Sequence, residues 1–162
     1  MNAKTVVRPP TTAHLEGWHV VSPANQFVDA MVEAQGFDRL VLATRAIRYD
    51  PGCIEALIEL AEHSRDLPTR LRHLETAVTS GEWLWSCVAG DDADLTWWGD
   101  VDTRPYMRAL HELGLAYRQA GRLHESLACF NRLLVMNPDD HQGIRFLVDP
   151  PEEGGSVGPR FR

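Results

Sequence analysis

RPYMRALHELGLAYRQAGRLHESLACFNRLLVMNP, residues 104–138, decides the fold. Leu110, Leu113 and Tyr117 recur at three- and four-residue steps, and Leu123, Leu127, Phe130 and Leu134 do the same after Gly121. This spacing predicts two amphipathic helices, Arg104 to Ala120 and Leu123 to Met136. Gly114 lies where a second helix needs close approach, Tyr117 and Phe130 supply bulk for the space between, and Pro138 cannot extend the helix before it.

Working outward, the apolar spacing stays helical. Ser22-Pro23 reads as an N-cap and first-turn proline for a helix to about Gln35, with Phe27, Met31 and Ala34 on one face. Helices follow at Asp38 to Arg48, Ile54 to His63 and Pro68 to Thr79, the last stopped by Ser80-Gly81. A short one is expected from Asp139 to Val148. No stretch alternates with period two, so the fold class is all-α. Residues 1–13 and 149–162 read as flexible tails around a helical domain at 14–148, with an insert at 82–103.

The chain has 162 residues, 44% hydrophobic and 24% charged, enough for one packed domain and too apolar for general disorder. No run is long enough to span a membrane, and residues 1–12 lack the apolar segment of a secretory leader. The net charge of −7 is the wrong sign for phosphate backbones. Cys53, Cys87 and Cys129 are odd in number and widely spaced, which suits reduced thiols in the cytoplasm. The expected setting is cytoplasmic, with neither nucleic acid nor membrane as partner.

Leu110-x-x-Leu113-Gly114-x-x-Tyr117, Ser126-x-x-x-Phe130 and Pro138 resemble the tetratricopeptide (TPR) repeat, with Leu110 and Ser126 replacing the usual tryptophan and alanine. Ala46 to Pro51 and Ala56 to Ala61 look like degenerate versions. The resemblance implies a short helical-hairpin solenoid of roughly two and a half repeats with a Trp/Asp-rich insert. A narrower likeness lies in Trp97-Trp98-Gly99-x-x-x-Thr103-Arg104-Pro105-Tyr106-Met107-Arg108-Ala109 and the later Asn137-Pro138-Asp139-Asp140-His141-Gln142-Gly143-Ile144-Arg145. These resemble a subgroup of bacterial TPR proteins with WGxxxTRPYMRA and NPNDNQGIR. Such relatives continue into further repeats, so the last face here is expected to pack on a partner or a second copy, as a possible homodimer.

Arg104, Arg108, His111, Leu115 and Arg118 share one helix face. The resemblance places Arg108, His111, Leu115 and Arg118 toward the groove of the array, where guanidinium groups can hold a carboxylate. The alternative for this stripe is a solvated face paired with the acidic insert. Four of the five tryptophans fall in sixteen residues, Trp83 to Trp98, as packing plugs or as a ligand wall. Asp91, Asp92 and Asp94 lack the pattern of a calcium loop. Glu59, Glu62 and His63 fall short of a zinc set, and no nucleophile or phosphate-loop motif occurs. Arg145 bridges helices or meets a ligand.

The expected function is a non-catalytic module binding a protein, peptide or helix through Arg104, Tyr106, Arg108, His111, Arg118, Trp98 and Arg145, without cofactor or metal. The alternative is a small-molecule binder or enzyme with a pocket between the insert and the last repeat. A third reading makes the acidic insert a nucleic-acid mimic.

Overall fold

Gly81 shows how packing, rather than local propensity, ends or continues a helix in this protein. In the computed structural model, which describes residues 24–88 and 97–148, the fourth helix runs through Gly81 to Val88 instead of stopping at Ser80-Gly81. A Cβ on Gly81 would stand 2.3 Å from Cδ2 of Tyr106, and one on Gly52 would stand 3.0 Å from Oγ of Ser80. The two small residues are there because a ring and a loop press against the helix at that level. Trp83 and Trp85 are therefore helical, not part of a loop.

The described residues form α1 (Asn25–Glu33), α2 (Phe37–Tyr49), α3 (Ile54–Glu62), α4 (Leu67–Val88), α5 (Arg104–Gln119), α6 (Leu123–Met136) and α7 (Arg145–Val148), with a single 3-10 turn at Val101–Thr103 before α5. No strand occurs among them. Connections at 34–36, 50–53, 63–66 and 120–122 are so short that each helix runs back along its predecessor. Each helix from α1 to α4 packs on the next, as do α4 and α5, α5 and α6, and α6 and α7. Helix α3 also touches α5. This arrangement is an all-helical, short hairpin-repeat fold.

The apolar stripes face inward as their spacing requires. Leu57, Ile58, Leu74, Tyr106, Met107, Leu110, Phe130 and Leu133 form one core across α3 to α6, and Met31, Ala43, Ala46 and Ala56 a second across α1 to α3. Gly114 has the role its position suggests, since a Cβ there would meet Cε1 of the buried Phe130 at 2.6 Å. No described helix is long and apolar enough to cross a membrane.

Two terminal expectations change or fall outside. Ser22 and Pro23, both tails and the acidic run at Asp91, Asp92 and Asp94 lie outside the described residues; α1 starts after Ala24 without a side-chain cap. The helix expected from Asp139 shrinks to α7, because Asp140 has φ +54° and Gly143 φ +70°, which turn the chain first. Asp140 then caps the short helix: its Oδ1 accepts from the amide of Ile144 at 2.6 Å and its Oδ2 from that of Arg145 at 3.0 Å.

Candidate functional site

The arginines of α5 meet their partners on the neighbouring helices. Arg108 donates from Nη2 to Oε1 of Glu62 on α3 at 2.5 Å, with both side chains substantially exposed. Glu55, Glu59 and Glu62 stand four and three residues apart, so α3 carries an acidic stripe on the layer it shares with α5. Burial pushes the Glu55 carboxyl above its ordinary value, and the Arg108 cation opposes that only in part. The basic stripe is thus answered from the preceding hairpin.

Glu59 is the most buried of these acids and serves as a joint. Its Oε2 accepts from Nε of Arg39 at 2.8 Å, His63 Nδ1 lies 3.3 Å from Oε1, and Nη1 of Arg39 donates to the Met31 carbonyl at 2.9 Å. One carboxylate and one guanidinium thereby tie α1, α2 and α3 together, which accounts for Glu59 and His63 without a metal. Among the described residues no three His, Cys, Asp or Glu side chains converge on one point.

His111 lies with its ring centroid 6.3 Å from that of Phe130 and its Nδ1 3.6 Å from Oε1 of Glu112. His111, with Arg70 from α4 at 3.0 Å, holds the Glu112 carboxyl below its ordinary value against the burial that raises it. Arg118 donates to the Leu147 carbonyl of α7 and lies 5.1 Å from the Phe130 ring centre. It is the strap that holds the last helix to α5. Arg145 donates to the Pro138 carbonyl at 2.5 Å and so closes the turn that leads to α7.

At the start of α5, Arg104 lies 5.4 Å over the Trp98 ring, and Trp98 stacks on His141 with centroids 5.3 Å apart and planes 7° apart. His141 in turn meets Oδ1 of Asn137 at 2.9 Å. Tyr106 is fully buried, wedged beside Gly81 and under Arg132, so its ring belongs to the core and offers no free contact area. Burial pushes its phenol up to about 12. Trp85 and Trp97 complete that cluster, at 5.8 Å from each other and with Trp97 6.0 Å from Tyr106. These two tryptophans are packing residues; Trp83 is exposed.

Cys53 and Cys129 are free and buried, and burial pushes their thiols up to about 12 and about 11, which leaves them protonated and poor nucleophiles at neutral pH. The structure brings Arg108 and His111 onto one exposed layer with Glu62, a partner the motif reading missed. Its signal was legible, because the Glu55–Glu59–Glu62 spacing mirrors that of the arginines. Arg118 and Arg145 go to backbone carbonyls, and Trp98 and Arg104 form a stack beside the turn before α5.

Comparison with known proteins gives one family. Residues 107–140, most of α5 with α6 and the following turn, match the tetratricopeptide repeat model. No curated protein and no solved structure matches the chain.

Proposed function

We propose that this chain, with a tetratricopeptide repeat as its last full hairpin, is a non-catalytic module that binds a peptide or helix of a protein partner on the surface where α3 meets α5. Stacked hairpins of this kind present extended surfaces on which other proteins dock. The observation that carries the reading is the direct contact of α3 with α5 around the Arg108–Glu62 pair.

An exposed pair of this sort contributes little to stability, since water screens it. Exchange of Glu62 for a partner's carboxylate therefore costs little, while a guanidinium still gains a charge-assisted hydrogen bond. His111, three residues along α5 from Arg108, adds an aromatic ring to the same helix. Arg118 contributes by keeping α7 in place, and the exposed Phe146 on α7 is where a second copy or partner would cover the end of the array.

Selection of a random peptide library on the immobilised chain, followed by titration of the enriched peptides, tests this. Enriched peptides should carry a carboxylate and lose about tenfold in affinity with Arg108→Ala, in line with loss of one charge-assisted contact. Unchanged binding to Arg108→Ala and His111→Ala would remove this surface from the function. Native mass spectrometry of the same preparation reports whether the end of the array is covered by a second copy.

A further inference from the structure

The other arginines with a recorded contact show what an ordinary one does in this molecule. Arg39, Arg70, Arg108, Arg122 and Arg132 meet carboxylates, Arg118 and Arg145 meet backbone carbonyls, Arg72 meets the Thr69 hydroxyl and Arg104 lies over Trp98. The side chains of Arg45 and Arg48 on α2, and that of Arg65, make no hydrogen bond, ion pair or ring contact among the described residues. An exposed arginine can do without a partner, since water solvates it, so this alone marks no site. The surroundings make the difference.

Arg45 and Arg48 line a cleft of about 380 Å³ together with Phe27 of α1 and Tyr49 of α2 among the described residues. The two rings stack with centroids 5.5 Å apart and planes 23° apart, and Tyr49 is 59% exposed. Two unpaired guanidinium groups and an exposed aromatic wall thus share one concavity, on a chain whose net charge is −7.

We propose that this α1–α2 cleft binds an acidic segment of a protein partner, with its carboxylates on Arg45 and Arg48 and an apolar side chain on the Phe27–Tyr49 stack. Guanidinium groups hold carboxylates through paired N–H donors, and the rings supply apolar contact area that a phosphate backbone cannot use. The overall negative charge repels a long polyanion more than a short segment with few charges. Charge complementarity therefore favours a peptide over a nucleic acid. The lining residues named here lie on α1 and α2, whereas Arg108 of α5 meets Glu62 of α3, so the two surfaces share no named residue.

The test is fluorescence anisotropy of the full chain with a labelled peptide alternating glutamate and leucine, and with its glutamine–leucine counterpart. Saturable binding is expected for the first only. It should fall by about tenfold or more with Arg45→Glu and Arg48→Glu together, and be unchanged with Arg108→Ala. In the unmodified chain, amide shifts on titration should centre on residues 27 and 45–49, a readout that no folding defect of a variant can disturb. Several outcomes overturn the proposal: no saturable binding, equal binding of the glutamine peptide, retained binding in the double variant, or shifts centred on α5. A single-stranded oligonucleotide that outcompetes the peptide overturns it in favour of nucleic acid. Loss with Arg108→Ala alone transfers the binding to the α3–α5 surface.

Discussion

Replacing Gly81 by alanine separates two accounts of the same residue. Were Gly81 a helix stop or an idle helical glycine, alanine would stabilise α4 by about 1 kcal/mol through propensity. In the structure the added Cβ stands 2.3 Å from Cδ2, 2.8 Å from Cγ and 3.1 Å from Cβ of Tyr106. Carbon atoms settle at about 3.5–4.0 Å, so α4 and α5 would have to part by more than about 1 Å at this level. The close atoms lie at the root of the ring rather than at its far end, so rotation of the side chain cannot relieve them. Tyr106 is fully buried and cannot swing outward. Overpacking of this kind costs about 1–3 kcal/mol, here at the upper end, and the propensity gain offsets about 1 kcal/mol of it. The expected net loss is about 2 kcal/mol, or a fall of roughly 8 °C in Tm for a domain of this size. Thermal and urea unfolding by circular dichroism would measure it, and Gly81→Ala should cost less in a Tyr106→Ala background, which lacks Cγ and Cδ2, than in the parent, through direct coupling. A Gly81→Ala protein as stable as the parent would refute the close-packing account.

Glu59→Ala strips the buried acceptor from Arg39 and His63, and should cost about 2 kcal/mol in urea unfolding, below the usual range for a fully buried pair because Arg39 is partly exposed. Arg118→Ala frees the Leu147 carbonyl and should speed amide exchange at residues 144–148, while global stability falls by less than about 1 kcal/mol; unchanged exchange there would mean that α7 is held by its apolar contacts alone. Because the Glu112 carboxyl is held low in the folded state, its stabilisation is present above the ordinary glutamate range and is lost as pH falls through the lowered value. Glu112→Gln should therefore lower Tm at neutral pH and leave it unchanged at strongly acidic pH, which paired melts across that range would check.

The division between local and tertiary information can be read residue by residue. Helix positions followed from the period of the apolar residues, and α2, α3, α5 and α6 lie within a residue of where that period puts them. Leu110, Leu113, Gly114 and Phe130 revealed one hairpin because the contact they make is between helices adjacent in the chain, where spacing and geometry are linked. Ser80-Gly81 misled for the opposite reason: the ring that needs the room belongs to Tyr106, across an interruption in the helical pattern. The same distance in sequence hid the partners of the arginines. The stripe on α5 was plain, yet only the stacking of α3 against α5 supplies Glu62 to Arg108, and only the fold carries Leu147 back to Arg118. Periodicity reports which face of a helix is apolar, because burial acts on each helix by itself. Which charge meets which, and which small residue gives way to which ring, depends on contacts tens of residues apart that no local pattern records.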